Sequence, residues 1–501
     1  MDTKKEFADG KFKTECARMV LTNVGNPQFV IAGPGEIWQD QEGVLQYKIF
    51  ANHDAYRALL DYMGRPGVIG QIIPDGEFFN LRAEGHDSNL WNAAHILPSP
   101  RGGFFEGLAH GYINELTQTR DFPADAPAAY VEVRFKGKLD FPCNSGTQTI
   151  IRVGGRDRQT SSSLNMAFAE DGNYRFETRH DSNHTVVSLH LPAGELIPAT
   201  ASRVREALQF ILGKQLAVMV IETSSDGQQV TRFTSPSADR GHGDMSPPLQ
   251  FHRFGEEGHI WRMFCNYFRR VHGDASPGWH PISNHIGRVI ESTAASLDTE
   301  ILALGVAVEG LVGECFPGLA PVSADFLLEL DAVQAALSTG QVSLPGPPVE
   351  TVALNAKTLG RINGSLAAMR KPRNSDVLRV FIESNRLPRG FYSSWSDLRN
   401  ASAHGGGAGG RDIEKILRLK SEVLSLLYSI AFAAINYTGP RTDYSLPGWP
   451  TRAWPIPQPL AAAQAPATAP APVAVPPQAP PPAPQAPANP PPPEPPNQAG
   501  T

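Results

Sequence analysis

The chain has 501 residues, a formal net charge of −6, and contents of 41% hydrophobic and 19% charged residues. These are the values of a globular protein that is too long for one compact domain, so we expect two folded domains and a tail. The negative charge argues against a protein that coats nucleic acid non-specifically, and any nucleic-acid site must therefore be local.

The cysteines and the apolar stretches indicate a cellular compartment. The four cysteines, Cys16, Cys143, Cys265 and Cys315, are far apart and include no CxxC motif, a pattern typical of reduced thiols. No apolar run follows the charged N-terminus, and the longest apolar stretches are too short to span a bilayer. These features predict a cytoplasmic protein without a membrane segment.

Residues 1–245 are predicted to form a β-rich N-terminal domain. Apolar and polar residues alternate at 128–136, and β-branched residues cluster at 147–153 and 184–191, as in strands. A single helix is expected at 200–212, where apolar residues recur at helical spacing. The pattern favours a sandwich-like domain but does not exclude a curled antiparallel sheet. By default we interpret it as a recognition or regulatory module.

Three histidines in this half, His180, His184 and His190, raise the question of a metal site. His180 and His184 have the spacing of two ligands on a helix. The residues that follow, 185–189, are strand formers, so that spacing does not apply. A polar hairpin is the preferred interpretation, and we predict neither a metal site nor a cofactor. The alternative, a metallohydrolase, would bind stoichiometric zinc.

From about residue 249 onward, apolar residues recur at helical spacing. Residues 246–297 are predicted to form a helical connector, followed by helices at 298–315 and 324–337 and a final helix at 411–436. The helix at 298–315 carries one interior charge, Glu309. This residue is either partly exposed at a helix edge or a buried partner for an arginine. The final helix has a surplus of apolar residues that could form a dimer surface.

Residues 361–389 contain seven Lys or Arg residues and two acidic residues, a net charge of +5 in a negative chain. A solvated charged face is the ordinary explanation for such a run. We favour a track for an RNA backbone, because phosphate binding needs clustered cations. The residues predicted to bind RNA are Arg370, Lys371, Arg373, Arg379, Arg386 and Arg389.

The strongest chemical signal is Arg399, Asn400 and His404, three polar residues within one short segment that ends in a glycine-rich run at 405–410. Glycines terminate helices, so we expect a short helix with His404 in its last turn. Asn400 and His404 share one face, whereas Arg399 points about 140° away from His404. Two copies of the helix across a two-fold axis would bring both groups to one phosphate.

Arginine and histidine together suit attack of an RNA 2′-hydroxyl on the adjacent phosphodiester. Histidine exchanges a proton near neutral pH, and arginine holds the developing negative charge. DNA lacks the nucleophile and is excluded. The alternative is a purely structural role, in which the three residues cap a helix end.

The segment Arg-Asn-x-x-x-His at 399–404 resembles the signature of HEPN domains. Residues 301–311 are similar to the first core helix of that family, and 359–389 to its middle segment. A C-terminal HEPN domain behind a β-rich half resembles the ApeA-like branch. Here Trp395 and Leu398 occupy places that hold Glu and Lys in some active members.

The resemblance implies an all-α HEPN helical bundle at 298–440 that acts as a homodimer or a higher even oligomer. It implies a metal-independent endoribonuclease that acts in anti-phage defence by abortive infection. Arg399, Asn400 and His404 would be catalytic, with Glu309 as an accessory residue. The expected partners are single-stranded RNA or tRNA as substrate and a phage-derived trigger. The alternative is a non-catalytic HEPN module that binds RNA or protein, with sensing by the β-rich half.

Residues 441–501 are predicted to be a Pro/Ala-rich disordered tail. From residue 455 onward the segment is dominated by proline and alanine and has one charged residue, Glu494. Such a composition cannot bury a core.

Overall fold

The computed structural model describes residues 2–455, except for 65–71, 87–88, 102–106, 122–128, 154–155, 182, 193, 226, 236–242, 251–256, 277, 339–340, 344–350, 354 and 404–411. The helices are α1 (Thr3–Ala8), α2 (His53–Met63), α3 (Thr200–Leu212), α4 (Glu257–His272), α5 (Pro281–Ser292), α6 (Leu297–Cys315), α7 (Ala324–Leu337), α8 (Ala356–Met369), α9 (Asn374–Ser384), α10 (Gly390–Ala403) and α11 (Ile413–Ala434).

The strands of the first half are β1 (Lys13–Asn23), β2 (Val30–Gln39), β3 (Leu45–Phe50), β4 (Phe79–Gly85), β5 (Leu90–Ile96), β6 (Ser99–Arg101), β7 (Leu108–Ile113), β8 (Glu115–Asp121), β9 (Tyr130–Lys136), β10 (Ser145–Val153), β11 (Arg156–Asp171), β12 (Tyr174–Asp181), β13 (His184–His190), β14 (Val218–Ser225) and β15 (Gln228–Thr234). Two short hairpins follow later in the chain: β16 (Gln341–Ser343) with β17 (Thr351–Ala353), and β18 (Gly439–Thr442) with β19 (Thr451–Trp454).

Fifteen strands of the described residues form one antiparallel sheet, in the order β10-β11-β12-β13-β9-β14-β15-β8-β5-β4-β1-β2-β3-β7-β6. The sheet curls back on itself. Ser235, just after β15, accepts a hydrogen bond from the backbone N–H of Leu45 at 2.9 Å and donates one to the carbonyl of Ile113 at 2.6 Å. Leu45 and Ile113 belong to β3 and β7, far from β15 in the strand order. Of the two alternatives that the sequence left open, a sandwich and a curled antiparallel sheet, the second describes these strands.

Two apolar cores lie against this sheet. The first fills the curl, where the rings of Phe12, Trp91 and Phe233 pack at centroid distances of 5.5–5.7 Å. The second joins strands β9 and β11–β13 to the helices, for example through Phe176 and Phe264 at 4.8 Å. This core includes residues on both sides of the predicted boundaries at 245 and 297.

A buried ionic cluster lies between the sheet and the N-terminal helix α1. Lys4 Nζ lies 2.8 Å from a carboxylate oxygen of Glu222 and 3.2 Å from one of Glu132. Arg134 Nε lies 2.9 Å from the same oxygen of Glu132. Burial by itself would raise the pKa of Glu132, but the charges of Lys4 and Arg134 outweigh it and hold the pKa at about 2. The cluster fastens α1 to the sheet.

The C-terminal part is helical, so the predicted combination of a β-rich first half and a helical second half is confirmed. Helix α6 is the centre of this part and packs against α5, α9, α10 and α11. Helices α7 and α8 lie outside the core and bury only Leu330 and Leu366. No helix of the described residues has both the length and the apolar composition needed to cross a membrane.

The predicted start of the disordered tail, residue 441, lies too early in the chain. Residues 441–455 are folded: β18 and β19 pair, and Tyr444 and Trp454 are 3% and 4% exposed. Trp454 packs its ring 6.2 Å from that of Phe432 in α11, which ties the hairpin to the core. The aromatic residues before 455 therefore supply the burial that the proline-rich composition lacks. The rest of the predicted tail, 456–501, lies outside the described residues.

Candidate functional site

Helix α10 packs one face into the core and leaves the motif residues on the surface. Phe391, Trp395 and Leu398 recur at helical spacing and are at most 5% exposed. Arg399 and Asn400, the next two residues, are exposed. The apolar stripe therefore fixes the rotation of the helix and directs both polar side chains outward.

Helix α10 packs against α6 at Gly305. The indole N–H of Trp395 donates a hydrogen bond to the carbonyl oxygen of Gly305 at 3.0 Å. A Cβ on Gly305 would lie 3.7 Å from the Cα and Cβ of Arg399, which is van der Waals contact. Helices α6 and α10 thus pack closely here, with room for no more than a methyl group at residue 305. The Cα of Arg399 lies at this contact between the two helices.

The side chain of Arg399 extends along α6 to Glu309, one turn beyond Gly305. Its Nε lies 2.8 Å from one carboxylate oxygen of Glu309, and its Nη2 lies 3.5 Å from the other. The pair is oriented by two contacts, but it is not buried: the two side chains are 44% and 29% exposed. Glu309 is therefore the ion-pair partner of Arg399, but it is a partly exposed residue at a helix edge and not a buried one. Trp395 adds a ring centroid 5.9 Å from the Arg399 guanidinium carbon.

Asn400 lies beside Arg399, and its side-chain amide is 3.4 Å from the Ser396 hydroxyl oxygen. Helix α10 is described as far as Ala403. His404 lies outside the described residues. The structure therefore pairs Arg399 with Glu309, whereas the contact shown for Asn400 is with Ser396.

The predicted RNA-binding cations lie around helix α9 instead of converging at one point. Arg373 precedes α9 and Arg386 follows it, so they are separated by a helix about 16 Å long. Arg370 is engaged elsewhere, because its Nη2 is 2.6 Å from a carboxylate oxygen of Asp331 in α7. The remaining members, which we call the basic strip, are exposed and follow one another along the chain: Lys371, Arg373, Arg379, Arg386 and Arg389.

One residue near the site was missed by the sequence analysis. Tyr392 lies on α10, and the guanidinium carbon of Arg379 is 5.0 Å from the centre of its ring. Nη2 of Arg379 also donates a hydrogen bond to the Tyr392 hydroxyl at 3.4 Å, and this interaction raises the pKa of Arg379. The spacing Tyr392, Trp395, Arg399, at i, i+3 and i+7, was the signal that could have revealed it.

The histidines of the N-terminal half form part of a hairpin. Asp181 and His184 are paired where β12 and β13 meet. The ring of His180 packs 4.6 Å from that of Phe141, and burial lowers the pKa of His180 and of His184. Within the described residues, no three His, Cys, Asp or Glu side chains are arranged to hold a metal ion.

An open groove of about 770 Å³ lies on the outer face of β4 and β5. Asn80, Arg82 and Asn92 line it with other polar side chains, and none of the residues predicted for the RNA site does so.

Comparisons with protein-family models, with curated proteins and with solved structures found no match.

Proposed function

We propose that this chain is a metal-independent endoribonuclease of the HEPN type that acts as a dimer. The observation that carries the proposal is the Arg399–Glu309 pair, in which a carboxylate orients the guanidinium of a side chain that is still 44% exposed. An oriented guanidinium fits the oxygens of a phosphodiester with two parallel hydrogen bonds. His404 follows five residues later in the chain, so that the two chemical groups belong to one short segment.

In the proposed reaction, the 2′-oxygen of a ribose forms a bond to the adjacent phosphorus, and the bond from phosphorus to the 5′-oxygen breaks. A neutral His404 imidazole accepts the proton of the 2′-hydroxyl. The resulting imidazolium returns this proton, through water, to the leaving 5′-oxygen. Arg399 binds the phosphate oxygens as negative charge builds up. Asn400 orients His404 or contacts the phosphate.

Two helices support the proposed dimer, because they expose apolar side chains that a lone chain leaves in water. Leu302 and Val306 of α6 are 42% and 45% exposed, and Ile413 and Leu417 of α11 are 57% and 46% exposed. The two helices are linked by Lys420 and Glu300, whose charged atoms are 2.6 Å apart. Pairing of these faces in two copies would bury the apolar side chains and bring the two α10 helices towards one substrate.

The test is cleavage of total RNA by the purified full-length chain in EDTA. We expect products with 2′,3′-cyclic phosphate and 5′-hydroxyl ends. His404→Ala and Arg399→Ala are expected to lower the rate by roughly 100-fold or more. Arg418→Ala, which removes an exposed arginine of α11, is the matched control and is expected to leave the rate unchanged. Cleavage that persists in His404→Ala would refute the proposal.

By the same resemblance we propose that the substrate is single-stranded RNA or tRNA in the cytoplasm. The enzyme would act in anti-phage defence by abortive infection, set off by a phage-derived trigger. Expression of the wild-type chain in bacteria with the trigger is then expected to stop growth, whereas His404→Ala is expected to be harmless. Equal growth of the two strains would contradict this role.

The open groove on β4 and β5 favours a second candidate, a non-catalytic HEPN module in which the β-rich half senses a ligand. RNA binding by both wild type and Arg399→Ala, with cleavage by neither, would support this candidate over the nuclease.

A further inference from the structure

Four side chains form a continuous row from α9 to the candidate site. Arg379 of α9 lies over the ring of Tyr392, with its guanidinium carbon 5.0 Å from the ring centre. The Tyr392 ring is 5.7 Å from that of Trp395, and Arg399 lies 5.9 Å from the Trp395 ring. The row thus has a cation at each end and two aromatic rings between them.

Arg379 differs from the other cations of the basic strip in how it is held. Its guanidinium contacts the Tyr392 ring and donates to the Tyr392 hydroxyl at 3.4 Å, which keeps the planar group against the helix. In the described part of the chain no carboxylate lies within 4.0 Å of it, whereas Arg370 is paired with Asp331. Arg379 is exposed. A flat cationic group fixed on one side by a ring is a stacking surface on its other side.

The row also has the right dimensions for a nucleic-acid strand. Tyr392 and Arg399 are seven residues apart on one face of α10, or about 10 Å along the helix axis. Neighbouring nucleotides of one strand can therefore reach both Arg399 and the Arg379–Tyr392 pair. Unpaired RNA bases stack on aromatic rings and on arginine planes, whereas bases inside a duplex are covered by their neighbours.

We infer that Arg379, held flat by Tyr392, is the stacking platform for an unpaired base next to the phosphate bound by Arg399. The inference rests on the proposed function for the position of that phosphate. It specifies the substrate class as single-stranded RNA with a splayed base at this position. Tyr392 is a positioning residue that acts through Arg379.

The test uses an RNA strand with 2′-O-methyl groups, which cannot be cleaved by 2′-hydroxyl attack, and the full-length chain. A 2-aminopurine base, whose fluorescence falls on stacking, is placed at each position in turn, and affinity is measured by fluorescence anisotropy. At one position we expect quenching on binding, and replacing that base by an abasic residue is expected to weaken binding about 5-fold or more.

Arg379→Lys keeps the charge and removes the plane, so the quenching and the preference for a base over the abasic residue are both expected to disappear. Tyr392→Leu is expected to act in the same direction, while Tyr392→Phe keeps the ring and most of the preference. Arg418→Lys, the same exchange at an exposed arginine of α11 outside the basic strip, is the matched control and is expected to keep both signals. Circular dichroism of the four variants checks that each is folded.

Quenching and base preference that survive in Arg379→Lys would overturn the inference, as would the absence of quenching at every position in the wild type. Cleavage of ordinary RNA decides the proposed function separately. A wild-type chain that stacks the base but cuts no RNA would refute the nuclease and leave the platform intact. RNA cleavage by the wild type, together with stacking that is unaltered in Arg379→Lys, would support the nuclease and refute the platform.

Discussion

Arg399 and Glu309 are joined by an ion pair that leaves both side chains partly exposed. Water screens such a pair, so its contribution to stability is at most about 1 kcal/mol. The geometric effect is larger, since two contacts from one carboxylate fix the direction of the guanidinium. Loss of Glu309 should therefore change activity much more than stability.

We predict that Glu309→Gln, which keeps the shape of the side chain and removes its charge, lowers kcat/KM for RNA cleavage roughly 10-fold, because a guanidinium without a fixed direction is poorly aligned with the phosphate. The unfolding free energy in urea should change by less than about 1 kcal/mol. Glu329→Gln, at an exposed position of α7, is the control. A loss of stability as large as the loss of activity would show that Glu309 is merely structural.

A buried histidine links stability to pH. His280 is 5% exposed, and its Nδ1 accepts a hydrogen bond from the backbone N–H of Ile282 at 3.1 Å, which caps α5. Burial and the nearby charges of Arg270 and Arg203 lower its pKa to about 4. The unfolded chain has a histidine pKa of about 6.5. Between these values the unfolded state binds the proton and the folded state does not, so stability is lost as the pH falls from about 6.5 to 4.

His280→Asn keeps an acceptor for the helix cap and removes the titrating group. Between pH 7 and pH 4 the wild type should lose up to about 3 kcal/mol of unfolding free energy more than the variant, at about 1.4 kcal/mol per tenfold change in proton affinity. Urea denaturation at several pH values measures this difference. Parallel pH profiles for the two proteins would exclude a contribution from His280.

At the scale of elements, α6 and α11 present the apolar side chains that the proposed dimer would cover. Val306→Glu is expected to weaken the dimer on the order of 100-fold or more, since each copy loses about 1.5 kcal/mol of apolar burial and the loss counts twice across a two-fold axis. RNA cleavage should fall in parallel. Sedimentation velocity over a range of concentrations measures the association.

Leu328→Glu is the control for this prediction, because Leu328 is 66% exposed but lies on the peripheral helix α7. If the dimer survives Val306→Glu and dissociates in Leu328→Glu, the interface lies at α7 and not at α6.

The helices were predicted where local signals agree, but α1 and α2 were missed. The predicted bounds of α3 and α7 match the structure, because apolar spacing sets the first and the Ser323 cap, which accepts from Phe326, begins the second. Helix α2 was overlooked within a half that was assigned to strands. Its signal was present: the Asn52 side chain accepts from the Ala55 N–H and caps the helix.

The contacts of the candidate site were only partly predictable. Arg399 and Asn400 come from one short motif, and Glu309 stands out as the single charge inside an apolar helix. The contact of Arg379 with Tyr392 depends on how α9 packs beside α10, which no spacing along the chain encodes. Contacts between different elements need the three-dimensional packing.

At the scale of the whole molecule, packing between elements also decides which faces of the sheet are buried. The alternation at 128–136 predicted strand β9, but both of its faces are largely buried. Glu132 and Arg134 occupy the polar face and are 4% and 3% exposed, because α1 and the charge of Lys4 cover them. Hydrophobic alternation identifies a strand but does not show what packs on its polar face.

The claim that a site is composed of two copies of α10 can be tested by combining two inactive chains. Arg399→Ala and His404→Ala chains, each with its own affinity tag, are co-expressed, and the mixed dimers are isolated through both tags. A mixed dimer keeps one guanidinium and one imidazole, so we predict RNA cleavage at least 10-fold above either parent. Activity no higher than that of the parent dimers would contradict the composite site.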